Sequence, residues 1–181
     1  MLEHAIIAHA APTLARLKVG SLFPLRDGSN AEADIAAMNA RLNGKGLYIA
    51  AFRARNDRTL VYVYRAAELA ELLSRGDIGA FLGRFGYTDL SVSGALARLS
   101  GRIGASEIFP HEIGIFLGYP LADVEAFILN NGRNCACCGY WKVYTDVYGA
   151  QRAFDRCRKC ERVYGRCFEK GISIEKLAVA S

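Results

Sequence analysis

Two runs near the middle of the chain carry the clearest pattern of apolar and polar positions. The stretch "LYIAAFRARNDRTLVYVYR" (residues 47–65) is rich in β-branched and aromatic residues on either side of "RNDR", which predicts a β-hairpin. In its first arm Leu47, Ile49 and Ala51 fall on one face and Tyr48, Ala50 and Phe52 on the other. Both faces are apolar, so the sheet is expected to be covered, at least in part, on both sides.

Helical spacing dominates elsewhere. Pro12 is placed to open a helix, with Leu14, Leu17 and Lys18 following and Gly20 closing it. "SLFPLRDG" reads as a loop. Ser29 or Asn30 can cap a helix over 31–42, with Ile35, Met38 and Leu42 on one face. Residues 66–104 read as three short helical pieces punctuated by Gly76, Gly86 and Gly104. "FPHEIGIFLGYPLADVEAFILNNG" repeats one device, Pro110 to Gly118 and then Pro120 to Gly132, each proline opening a short helix and each glycine closing it. "GYWKVY" predicts a further strand, and a last helix is expected from about 147 to 170. The fold class that follows is α+β, with a small, mainly antiparallel sheet (hairpin about 47–65 plus strand about 140–144) packed with several short helices. One domain is expected over 1–181, with the Cys-containing loop and basic C-terminal helix of 133–170 as part of it.

Composition adds few constraints. Hydrophobic residues make up 52% and charged residues 23% of 181, with mean hydropathy +0.11, as in a globular chain. "MLEHAIIAHAAP" lacks the basic and continuous apolar regions of a secretory leader, and no apolar run reaches the length of a membrane span. A cytoplasmic location is expected, where thiols stay reduced. The net charge of +5 does not by itself imply nucleic acid. It is concentrated in residues 151–170, where Arg152, Arg156, Arg158, Lys159, Arg162, Arg166 and Lys170 outnumber Asp155, Glu161 and Glu169.

All six cysteines lie between Cys135 and Cys167. Soft thiolates suit zinc or an iron–sulfur centre, which makes Cys135, Cys137, Cys138 and Cys160 a candidate ligand set. The competing reading is plainer. Cys157, Cys160, Tyr164 and Cys167 recur at helical spacing on one face, as small apolar residues of a buried stripe would. Gly132 and Gly139 flank the loop cysteines with the flexible backbone that a metal knuckle or a reactive thiol would use, and local basic charge would acidify the thiols.

The histidines are His4, His9 and His111. His111 and Glu112 fall in the first turn after Pro110, where Glu complements the helix dipole and a neutral His suits a ligand, a base or a hydrogen-bonded core residue. His9 precedes the helix expected at Pro12, whose free N–H groups would favour an anion. No phosphate-binding loop, nucleophile elbow, H-E-x-x-H or dinucleotide-binding glycine fingerprint occurs.

Three stretches, "APTLARLKVGSLF", "FPHEIGIFLGYPLADVEAFI" and "GYWKVYTD…F…KC…VY", together resemble the family catalogued as domain of unknown function 3793, in order and over nearly the whole chain. The resemblance covers His9, Pro12, Thr13, Leu14, Lys18, Leu22 and Phe23, then Pro110, His111, Glu112, Gly118, Tyr119, Pro120, Gly132, Gly139, Trp141, Lys142, Tyr144 and Cys160. It implies a bacterial protein, chiefly of anaerobic Gram-positive species, whose genes accompany those of flavodoxin and ferrous-iron uptake. It carries no activity. The family pattern has Cys where this chain has Ala10.

The expected function is binding of a small anionic or redox ligand, in thiol or iron metabolism, in a pocket built at element ends. His9, His111 and Glu112 are the candidates for proton transfer or ligation. Lys18, Tyr119, Trp141, Lys142 and Tyr144 are the candidates for ligand binding. A small molecule or protein is the expected partner. A module binding nucleic acid or an acidic protein through the basic helix is the alternative, and a structural zinc or iron–sulfur site at the cysteines is the third.

Overall fold

The sheet is organised around β3 (Thr59–Arg65), which pairs antiparallel with β1 (Gly20–Pro24) on one side and β2 (Leu47–Arg53) on the other. A computed structural model describes residues 2–25, 31–54, 58–105 and 109–180. Ser29, Asn30 and three residues of the "RNDR" turn lie outside the described residues.

Alternation along β3 divides the core. Val61 and Val63 face one side with Leu47, Ile49 and Phe23, and Tyr62 and Tyr64 face the other with Phe52. The first side is covered by α1 (Leu2–Leu14) and α2 (Ala31–Leu42). The second is covered by α3 (Ala66–Leu73), α4 (Gly76–Gly83), α5 (Val92–Ala105) and α6 (Ile113–Phe116). The expected α+β class, with a sheet covered on both faces, is what the chain forms. The edge of β2 is shielded by Asn39 of α2, whose amide donates to the Ile49 carbonyl (2.9 Å) and accepts from the Ile49 N–H (2.8 Å), as a neighbouring strand would.

Two local expectations change. "SLFP" is not a loop but part of edge strand β1. Its first residue, Gly20, lets the strand approach so closely that an added Cβ would lie 2.5 Å from the Tyr62 ring and 2.7 Å from the Phe116 carbonyl oxygen. The strand near 140–144 forms as β5 (Lys142–Val143), which pairs with β4 (Cys137–Cys138) in a separate two-stranded ribbon.

Pro12 does not open a helix; it sits in the last turn of α1. The helix is apolar nearly all round because it lies between the sheet and α8 (Val147–Glu169), so no amphipathic stripe marks where it starts. His9 is therefore an exposed mid-helix residue rather than a group before a helix start. Ala10 is fully buried, and a thiol at that position would be enclosed in the core.

The end of α1 depends on Arg65. Parity along β3 turns this side chain toward α1, where it is completely buried. Its Nε donates to the Thr13 carbonyl (2.7 Å), and one terminal nitrogen donates to the carbonyls of Leu14 (2.6 Å) and Val179 (2.8 Å). The Thr13 carbonyl also accepts from the Arg16 N–H (3.2 Å) and the Leu14 carbonyl from the Val179 N–H (3.0 Å), so the guanidinium adds a second, charge-assisted donor to each. Arg16, at φ 59°, then reverses the chain toward β1, and its guanidinium pairs with Glu68 at 2.8 Å. Arg41 ties α2 to Glu3 of α1 and to Glu175 of α9 (Ile174–Leu177).

Arg65→Met would remove three charge-assisted hydrogen bonds from buried carbonyls and should lower stability by about 4 kcal/mol, read from urea unfolding; Lys at this position should recover only part of the loss, since it lacks the planar fork. The Arg41 hydrogen bond holds the Glu175 carboxyl down at about 2. A depressed carboxyl contributes stability above its ordinary value, near 4.5, and loses that contribution as pH falls toward about 2. Glu175→Gln should therefore lower the melting temperature near neutrality and flatten its pH dependence in that acid window.

Candidate functional site

Asp123 is the hub of the second half of the chain. Pro120 precedes α7 (Leu121–Leu129) and places Asp123 in its first turn, where the side chain is buried. One carboxylate oxygen accepts from the backbone N–H groups of Tyr144 (2.9 Å) and Thr145 (3.0 Å) and from the Thr145 hydroxyl (3.0 Å). The other accepts from the Trp141 indole N–H at 2.8 Å. Four donors on one carboxylate lock the β4–β5 ribbon against α7.

This junction leaves a cavity of about 300 Å³ lined by Tyr119, Phe127, Tyr140 and Trp141, with His111, Cys138 and Lys142 among the polar-tipped residues of its wall. The Trp141 indole stacks on Tyr119 (5.2 Å between ring centroids) and meets the edge of Phe154 (4.6 Å). Gly139 permits this packing, because a Cβ there would collide with the Phe154 ring. Its role is close approach, not the flexibility of a metal knuckle. His111 is exposed and packs against Phe127 at 5.0 Å. Lys142 donates to the Gly132 carbonyl (2.6 Å) and lies 5.8 Å from the centre of the Phe127 ring. An ammonium has three donors, so this bond leaves capacity for an anion.

Lys18 stands behind the aromatic wall, its ammonium 5.3 Å from the Tyr119 ring centre and 5.7 Å from that of Tyr140. Burial pushes its pKa down, opposed by the nearby Cys157 and Glu161. Burial raises the Tyr119 hydroxyl to about 12. Tyr140 is also raised, by burial first and then by the neighbouring Glu161.

The other candidates fall elsewhere. His9 packs on Phe23 (5.1 Å), on the α1 side of the sheet, and is not among the residues lining the cavity. Glu112 is buried and directed away from it, in an ion pair with Arg102 and a hydrogen bond from the Tyr87 hydroxyl (3.2 Å). Tyr144 contributes its backbone N–H to the hub, and its hydroxyl is buried without a hydrogen-bond partner. Cys157 and Cys160 lie on the inner face of α8, where burial raises both thiols, Cys160 to about 12. Cys138 is exposed and lines the cavity, whereas Cys135 and Cys137 are half-buried. Among the described residues, no group of three or more His, Cys, Asp or Glu side chains is placed to hold a metal ion. Sequence reasoning missed Asp123, Phe127 and Tyr140. The signal for Asp123 was indirect: an enclosed indole N–H needs an acceptor, and a short carboxylate lies in the first turn of the neighbouring helix.

The sequence matches, over residues 6–178, the family described as "Protein of unknown function (DUF3793)", and the chain belongs to that family. No curated protein and no solved structure matches it. No helix among the described residues is long and apolar enough to cross a membrane.

Asp123→Ala should unlatch the ribbon. We expect a loss of about 3 kcal/mol and red-shifted tryptophan emission as the Trp141 environment opens, both measured during denaturant unfolding. With a disulfide reagent at neutral pH, Cys138 should react in the native protein and Cys157 and Cys160 only after unfolding; a single rate for all six thiols would contradict this arrangement.

Proposed function

We propose that this protein binds a small, flat, largely apolar molecule bearing an anionic group in the cavity between α7 and the β4–β5 ribbon. The observation that carries the reading is the composition of the wall: four aromatic rings supply apolar faces, and Lys142 and His111 supply the polar contacts. Pockets of this size with few polar groups suit a ligand held by stacking and oriented by one charge. In this reading Trp141 and Tyr119 are the stacking platform, Lys142 contacts the anion, and His111 donates or accepts a hydrogen bond at the mouth. Lys18 sets the local potential from behind the wall. Cys138 supplies the thiol through which a redox role would act.

Trp141 is the only tryptophan of the chain and forms part of the wall, so its emission reports occupancy. Titration with naphthoate should quench it, and neutral naphthol should bind more weakly. Lys142→Ala should weaken naphthoate about tenfold and leave naphthol unchanged. Equal binding of both probes to both proteins would overturn the assignment of the anion contact. No quenching by either probe would overturn the pocket itself.

A further inference from the structure

The outer face of α8 carries a pattern that the cavity does not use. Arg152, Arg156, Lys159, Arg162 and Arg166 are exposed, as is Lys170 just beyond the end of the helix. They recur at intervals of four, three, three, four and four residues. At 3.6 residues per turn these six cations fall within an arc of about 120°, and at 1.5 Å per residue the row is about 27 Å long. The inner face, formed by Phe154, Cys157 and Cys160, is buried. The row is therefore held straight and outward by the packing of the helix on α1. Among the described residues none of the six cations takes part in an ion pair, while Arg158, at the edge of the row, is paired with Asp155 at 2.5 Å. Tyr148 falls in the same arc at the start of the helix and is 79% exposed.

We propose that this face of α8 binds single-stranded nucleic acid, the cation row tracking the phosphates and Tyr148 stacking on an unpaired base. One unpaired cation per helical turn is a linear array, which suits a linear polyanion better than a compact anionic ligand. An exposed tyrosine in line with that array is the group that favours bases over an acidic polypeptide, because every base offers a π-face. The site is independent of the aromatic cavity, and either can hold without the other.

The test is fluorescence anisotropy of a labelled oligouridylate long enough to span the helix, titrated with the full chain across a series of salt concentrations. Six neutralised phosphates on a single strand give an expected slope of log K against log salt of about −4. Arg156→Glu, Lys159→Glu and Arg162→Glu together should weaken binding more than about a hundredfold at low salt and roughly halve the slope. These side chains are exposed, and an unchanged melting temperature would show that the fold is intact. Tyr148→Ala should weaken binding about tenfold with the slope unaltered. Failure of the wild-type chain to bind at low salt would overturn the proposal. So would equal affinity for polyglutamate, which would assign the face to an acidic protein. Equal affinity for duplex, with no effect of Tyr148→Ala, would overturn the single-strand assignment.

Discussion

A guanidinium with no access to water holds three segments of this chain together. Arg65, at the end of the central strand, satisfies the last carbonyls of α1 and reaches a carbonyl in the segment after α9. Burying a charge is costly unless its donors are used and an opposite charge is near. Here two of the three guanidinium nitrogens are bonded, and Glu68, one turn into α3, supplies the compensating field. α1 ends without a glycine because Arg16 itself takes the left-handed conformation, and the Arg16 and Leu17 N–H groups bond back to the carbonyls of Thr13 and Pro12.

Asp123 does for the site what Arg65 does for the sheet. It collects donors from a segment with little regular structure of its own, since β4 and β5 are two residues each. A two-stranded ribbon of that length has almost no independent stability. Its position is set instead by the carboxylate, by the aromatic packing of Trp141 on Tyr119 and Phe154, and by the close approach that Gly139 allows. The cavity is thus a by-product of how the ribbon is anchored, and its aromatic wall serves both packing and the proposed recognition.

The parts of the fold that were legible in the sequence are those with a period. The hairpin, α2 and α8 repeat apolar residues at the spacing of their secondary structure, and Cys157 and Cys160 of α8 follow that spacing into the core, while α7 is marked by the proline before it and the glycine after it. Elements enclosed on two sides were harder to read. In α1 small and apolar residues fill the exposed as well as the buried positions, so no clear stripe marks its start and Pro12, a common helix opener, reads as that start. β1 is short, begins with glycine and ends with proline, and gains its identity only from pairing with β3. The site was half visible. Tyr119, Trp141 and Lys142 were found through their aromatic and basic character near element ends, and His111 through its proline. Glu112 and His9 shared that character, but the direction of a side chain around a short turn or an exposed helix face is not written in its neighbours. Asp123 looked like an ordinary first-turn acid.

The position of α1 has a consequence for how the chain is made. α1 lies between the sheet and α8, both of which follow it in the chain, and its closing contacts come from the segment after α9. Ile6, Ile7 and Leu14 cannot be fully enclosed until residues 147–180 have been synthesised. Until then the nascent chain must carry an apolar helix with half of its shelter missing. Long-range closure of this kind slows folding and exposes sticky surface. Chaperone dependence during synthesis would be a cost built into the topology, whatever the finished molecule binds.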